Sequence, residues 1–392
     1  MAKISRAMQP LPEGFSVLTW NMLAQTFIVD GKASYHHRPA EDTGWQSRLE
    51  RLLAELREVR PTVICLQEMS FEHFPEVAEA LGTNGYTGVM QDDRKRAPGQ
   101  PVGAATFFGS GYTMVWDLHR TRTLAIGLSD GQRIAAVVNC HLEGNPAAWA
   151  ARVSQLKSCL QQVAKMDHHA LVVAGDFNAQ EPSAAAYFLA GEGVPEGMLE
   201  WGYEVPACGK PDHSYALQKV YPSGNGEYTF TISGGAEHLV MLDQIWFSSS
   251  LILQAYRDPS WGSEFDKQVV VGGLPNKQNP SDHLPLAATF AWASDTPSLK
   301  QEEAIVKAAP TDHETYDQLM AKAKLTPDQM AEWDEIVCTP KAPRGKPSAA
   351  EIDAMRRLAQ RKKEFLQCLE KDQCQLLKRA ADQLKKQQTS KA

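Results

Sequence analysis

Asp176 and Asn178 stand two residues apart in the stretch Ala170–Gln180, directly after five small or branched apolar residues. That run, bounded by His168-His169 and Gly175, reads as a strand buried on both faces. Gly175 predicts a sharp exit, and an extended exit puts a carboxylate and an amide on one side of the chain. Taken alone, such a pair is more often a turn cap than a site. The same event recurs along the chain: Asn21 follows the apolar run Phe15–Trp20, Glu68 follows Thr62–Leu66, His141 follows Arg133–Asn139, and Asp282-His283 precedes Leu286–Phe290. Asp243 interrupts the apolar run Leu239–Phe247, where a buried carboxylate needs a partner. Carboxylates, amides and imidazoles gathered at several strand ends form a site without a zinc-type ligand pair, and the hard oxygen ligands among them imply Mg²⁺ or Mn²⁺. That set suits attack of water on a phosphate ester.

The elements that must position these residues alternate between strand and helix patterns. Leu49, Leu52, Leu53, Leu56 and Val59 make a helical stripe from Trp45 that Pro61 stops. Phe74, Val77 and Leu81 mark a second helix ending near Gly82, and Val153, Leu156, Leu160 and Val163 a third over 147–163. Strands at 104–108, 113–116 and 123–128 read as an antiparallel run, and Asp130-Gly131 as the turn into the strand that delivers His141. A short strand is expected at 269–271, and signals are weak between 182 and 235. The loop 91–100 carries Arg94, Lys95 and Arg96, either solvated or touching a phosphate backbone.

Beyond Trp292 the composition shifts. Residues 295–346 hold five prolines and a capping box with proline at 326–329, and Ser348 with Glu351 starts a net-basic stretch free of glycine and proline. The expected organisation is a catalytic domain over 1–295, a linker with a short helix over 296–346, and a basic amphipathic helix over 347–392. That helix either lies on the protein surface or contacts RNA or a protein partner.

With 392 residues, the chain has room for a sizeable core. Its 40 basic against 47 acidic residues weigh against non-specific coating of nucleic acid. Seven scattered cysteines without CxxC spacing suggest a reducing compartment. The first residues lack the apolar core of a signal peptide and no run reaches transmembrane length, so a soluble cytoplasmic or nuclear protein without a membrane partner is expected.

TrpAsnMetLeuAlaGln (20–25), LeuGlnGluMet (66–69), AsnCysHisLeu (139–142), GlyAspPheAsn (175–178), LeuAspGlnIleTrp (242–246) and ProSerAspHisLeuPro (280–285) resemble, in order, the motifs of the endonuclease/exonuclease/phosphatase superfamily. The resemblance covers about residues 14–292. TrpGlnSerArg (45–48) and ProSerAspHisLeu are most similar to the branch of carbon-catabolite-repression deadenylases, nocturnin and the Angel proteins. It implies an α/β fold, a four-layer sandwich of two packed mixed sheets flanked by helices, here with a C-terminal helical extension. It also implies Glu68 as principal metal ligand with Asn21 and Asp282, and Asp176 and Asn178 orienting water and phosphate. His283 takes a proton or stabilises the phosphorane, oriented by Asp243, and His141 donates to a phosphate oxygen. By the same resemblance Pro146 contacts the substrate base; Asn21, Arg94, Lys95 and Arg96 complete the expected substrate contacts. Leu23 stands where the AP-endonuclease branch has Asp, Val102–Phe108 lacks the Asp of the deadenylase motif, and Glu143 replaces a nocturnin Lys. The leading expectation is an RNA 3′-exonuclease, with poly(A) preference open. The alternatives are a phosphatase or phosphodiesterase acting on a nucleotide or phosphoinositide, and a catalytically silent binding module.

Overall fold

The structure, a computed structural model, describes residues 2–4, 11, 14–29, 40–95, 99–211, 213, 215–221, 230–231, 239–257, 274–295 and 333. The strand at 269–271, the helices expected at 326–329 and from Ser348, and Arg96 lie outside the described residues.

Side-chain parity explains the layering. In β2 (Phe15–Asn21), Phe15 and Val17 enter one apolar cluster while Leu18 and Trp20 enter another. In β9 (Ala170–Asp176), Ala170, Val172 and Ala174 share the first cluster, and Leu171 and Val173 join a third. Strands apolar at every position can satisfy both faces only between two layers. The first cluster lies between two sheets, and the other two lie under helices.

One sheet has seven strands in the order β1-β16-β17-β2-β3-β5-β4. These are β1 (Ala2–Ile4), β2, β3 (Val63–Ser70), β4 (Tyr86–Met90), β5 (Val102–Gly109), β16 (Leu251–Arg257) and β17 (Leu286–Trp292). The other has six, ordered β12-β15-β9-β8-β7-β6. They are β6 (Thr113–His119), β7 (Thr123–Ser129), β8 (Ile134–His141), β9, β12 (Gln218–Lys219) and β15 (Asp243–Phe247). Both sheets mix parallel and antiparallel pairs. Helices α3 (Trp45–Val59) and α4 (Phe74–Gly82) pack on the first sheet through Leu49, Leu52, Leu56, Val77 and Leu81. Helices α5 (Trp149–Val163) and α6 (Ala184–Ala190) cover the second through Leu156, Leu160, Phe188 and Leu189. The fold is the four-layer α/β sandwich. Contacts divide the chain into one compact unit over Met1–Thr296 and another over Pro297–Ala392. No helix among the described residues is long and apolar enough to cross a membrane.

Three local expectations need correction. The run 104–108, 113–116 and 123–128 is not one antiparallel set: β5 pairs with β3 and β4, while β6 pairs with β7 in the other sheet. The chain changes layer at the turn between Gly109 and Thr113, which no local pattern encodes. β3 does not end before Glu68 but continues to Ser70 through a register shift between Leu66 and Met69. Asp243 opens β15 rather than interrupting a longer strand, since Leu239–Val240 (β14) pairs with Phe230–Thr231 (β13) in a separate ribbon. The weak-signal region contributes α6, capped by Ser183 Oγ accepting from the Ala186 N–H at 3.2 Å, and the hairpin of β10 (Leu199–Glu200) and β11 (Tyr203–Glu204).

Candidate active site

Parity aims most site residues. Asn21, Asp176 and His141 each continue an alternation whose earlier members face the other sheet, and Asp243 opens one whose later members, Ile245 and Phe247, do so. His141, Asp176 and Asp243 are direct cross-strand partners, a row across β8, β9 and β15. Gly175 makes this possible by a different route from the expected sharp exit. It is the parallel partner of Cys140, and a Cβ there would overlap the Cys140 carbonyl oxygen. Only a residue without one lets the two strand ends close up.

Glu68 breaks the parity. Val63 and Cys65 face the inter-sheet core, Ile64, Leu66 and then Met69 face the helices, and Glu68 adopts φ 57°. The extra residue is a β-bulge, which redirects one side chain without disturbing its neighbours' faces. It sends the carboxylate inward, where Asn21 Nδ2 donates to it at 3.1 Å and the Ala24 N–H at 2.9 Å. The same Nδ2 donates to Asp176 Oδ2 at 3.0 Å. His141 Nε2 lies 3.9 Å from Glu68 and 3.7 Å from Asp176. From a loop over 276–283, His283 Nε2 reaches to 3.8 Å from Asp176, and its Nδ1 lies 2.7 Å from Asp243 Oδ2. Two sheets and one loop thus bring Asn21, Glu68, His141, Asp176, Asp243 and His283 together, with Asp282 at 6% exposure beside them.

The electrostatics follow from burial. Burial pushes the Glu68 carboxyl upward, opposed by His141, reinforced by the Asp282 charge, and opposed again by the Ala24 and Asn21 hydrogen bonds. Burial pulls the His283 imidazole down, but Asp243 and Asp176 outweigh it and the group is pushed up to about 10. That direction favours the imidazolium, which donates hydrogen bonds from both ring nitrogens.

Asn178 departs from the extended exit. It sits at φ 50°, its N–H caps Asp176 Oδ1 at 2.8 Å, and its Nδ2 donates to the Leu142 carbonyl at 3.0 Å. The pair is both a turn cap and part of the site. Asn21 is likewise a donor to two carboxylates, while its Oδ1 accepts from the Leu23 N–H at 3.1 Å. Arg94 is 87% exposed and paired with Asp92 at 2.9 Å. Neither it nor the exposed Lys95 lines the small cavity beside His141, which is formed by Gln91, Gln100, Val102, Gly103, Ala104, Thr121 and Arg122. Pro146 is exposed on the loop after His141.

Sequence reasoning missed the supports. Arg48, fully buried, donates to the carbonyls of Met22, Leu23 and Pro280 and to Gln25 Oε1, tying the Asn21 loop to the His283 loop. Ser281 Oγ completes that tie by donating to the Asn21 carbonyl at 2.6 Å and accepting from the His283 N–H at 3.1 Å. Gln67 and Asn139, both buried, bridge the sheets at 2.8 Å. Arg152, also fully buried, pairs with Glu200 and donates to the carbonyls of Glu143, Asn145 and Pro146. Glu143 pairs with Arg122 at 3.0 Å. A polar residue in an otherwise apolar helical stripe, as at Arg48 and Arg152, was the available signal.

A hard divalent cation fits this donor set. Among the described residues no three His, Cys, Asp or Glu stand in ligand geometry. Mg²⁺, however, needs only one or two carboxylates and keeps several waters. Glu68, whose carboxyl is pushed upward by burial and by the neighbouring Asp282 charge, is a group that a nearby cation would relieve.

The chain is similar to known proteins in sequence and in fold. The profile described as "Endonuclease/Exonuclease/phosphatase family" matches residues 18–283. Protein angel of Drosophila melanogaster is 26% identical over 304 residues, 70% of this chain and 80% of that protein. The CCR4-Not complex 3′-5′-exoribonuclease subunit Ccr4 of Emericella nidulans is 25% identical over 369 residues, 71% of this chain and 52% of that protein, so the match spans about half of its length. The crystal structure of ANGEL2, described as a 2′,3′-cyclic phosphatase, superposes with a TM-score of 0.59 at 24% identity, covering 70% of this chain and 94% of that one. That likeness is one of fold.

Proposed function

The chain belongs to the endonuclease/exonuclease/phosphatase family and is a phosphate-ester hydrolase, and from that premise we propose that it is a Mg²⁺- or Mn²⁺-dependent phosphodiesterase that shortens single-stranded RNA from the 3′ end. The observation that carries the reading is the row His141–Asp176–Asp243 facing Glu68 across the cleft. Glu68, with Asp282, would hold the cation, which supplies charge neutralisation for the phosphate oxygens and a more acidic water. Asp176, held by Asn21 and by the Asn178 N–H, orients the attacking water and accepts its proton. His283, charged and fixed through Nδ1 by Asp243, stabilises the negative charge that builds on the phosphorus oxygens. His141 Nε2, near both Glu68 and Asp176, donates to a second non-bridging oxygen. The RNA substrate draws support from the exoribonuclease Ccr4 among the relatives.

The test is turnover on a panel of oligoadenylate, mixed RNA, RNA ending in a 2′,3′-cyclic phosphate, NADPH and inositol phosphates. Mg²⁺ or Mn²⁺ should support stepwise 3′ shortening, chelation should abolish it, and Glu68→Gln should reduce kcat by about 10²-fold or more. Phosphate release from the small molecules with RNA left intact would move the assignment to a small-molecule phosphoesterase. Full turnover in excess chelator would remove the metal from the scheme.

A further inference from the structure

The hairpin of β10 and β11 turns through Trp201 and Gly202, both at positive φ, 55° and 81°. A two-residue turn of this kind matches strand twist and is rigid, and a bulky side chain at positive φ is uncommon. Trp201 is held there by its indole N–H, which donates to the Asn178 carbonyl at 3.3 Å. The ring, half-buried, therefore lies against the segment that carries Asp176 and Asn178.

The second ring is Tyr203. It is 51% exposed and is the cross-strand partner of Glu200, so the two share one face of the hairpin. Glu200 on that face is bound by Arg152 at 2.5 Å, and Arg152 donates to the Pro146 carbonyl at 2.9 Å. The exposed Pro146 and Tyr203 and the half-buried Trp201 are thus anchored through one buried ion pair and one indole bond to the exit of the catalytic strand. Five large apolar side chains are conspicuously exposed among the described residues, and Leu199 and Tyr203 of this hairpin are two of them. An exposed ring on a hairpin whose turn is bonded to the segment after Asp176 matches the one feature common to every nucleobase, its π face.

We infer that Trp201 and Tyr203 form a stacking platform for the bases of single-stranded RNA next to the scissile phosphate. The inference rests on the RNA reading above and deepens it, because a platform at the cleft edge serves a polymer, or at least a base-carrying substrate, and not a sugar or inositol phosphate. The recognition is sequence-tolerant, since stacking reads no base edge.

The test is binding of a labelled short oligoadenylate, followed by anisotropy in the full chain carrying Glu68→Gln with chelator present, so that turnover is suppressed during the measurement. An oligonucleotide of equal length with abasic 3′ residues is the control. Removing a ring with Trp201→Leu or Tyr203→Leu should raise Kd for the base-carrying RNA by about 5- to 150-fold, and leave the abasic control within about 3-fold. Trp201→Phe, which keeps a ring but drops the indole N–H, should retain most of the affinity. In the chain with Glu68 intact, the loss should fall in KM for RNA rather than in kcat. Equal losses on base-carrying and abasic RNA, or a Trp201→Phe defect as deep as Trp201→Leu, would show that the hairpin only props Asn178 and overturn the platform. So would no change in Kd, or no RNA binding by the unaltered hairpin. Absence of RNA cleavage by the wild-type chain is a separate result, and it counts against the exonuclease reading.

Discussion

At the scale of single residues, the chemistry depends on which partner each charged group has. His283 and Asp243 lie 2.7 Å apart, and in the proposed mechanism the carboxylate acts through the imidazole. His283→Ala and Asp243→Ala should therefore be non-additive in kcat/KM, the double variant losing little more than the worse single. Losses that multiply would separate the two roles. The same pair makes a pH prediction. The folded value of His283, about 10, lies above the unfolded value of about 6.5. The stabilisation from its charge is fully present below about pH 6.5 and is lost as pH rises through about 10. In denaturant titrations with chelator, the stability gap between wild type and His283→Gln should narrow from about pH 7 to about pH 10.5, by on the order of a few kcal/mol. A gap independent of pH would mean that His283 is neutral in the folded protein.

At the scale of elements, buried arginines hold the loops that the strands only deliver. Arg152 and Glu200 are 0% and 1% exposed, and α5 carries the guanidinium into the carbonyls of the loop over 143–146. Glu200→Leu leaves that charge unpaired in the core and should cost about 3–5 kcal/mol in stability. Arg152→Met with Glu200→Leu should regain much of the stability, since apolar replacement of a buried pair is often neutral or better. Activity on RNA should not return with it, because the Pro146 loop and the Trp201 hairpin lose their common anchor. Circular dichroism melts beside KM measurements check both halves. Recovery of KM together with stability would make the ion pair a packing feature alone.

At the scale of the whole molecule, the catalytic groups and both sheets belong to the unit that ends at Thr296. Residues 346–392, outside the described part, are net basic and carry none of the motif residues. Their deletion should leave kcat on a short oligonucleotide nearly unchanged. On long RNA it should raise KM at low salt and much less at high salt, because contact with a polyanion is screened. Equal loss on short and long substrates at every salt would assign this segment to structural support.

The sequence by itself determined the layers and most of the site. Continuous apolar runs such as Ala170–Ala174 require cover on both faces, which specifies sheets between layers. The two-residue period then aims Asn21, His141, Asp176 and Asp243 into one cleft once the runs are known to be strands. Glu68 was legible as a motif residue but not as a bulge, although the three-residue step from Leu66 to Met69 on the helix-facing side carries the signature. What only the tertiary structure decided is how distant segments meet. The crossing from β5 to β6 between sheets, the bond from Arg48 to the Pro280 carbonyl 232 residues away, and the indole bond from Trp201 to Asn178 all depend on which surfaces pack together. Local periodicity encodes the face a side chain takes, because sterics within a few bonds set it. The partner found across that face depends on burial summed over the whole chain.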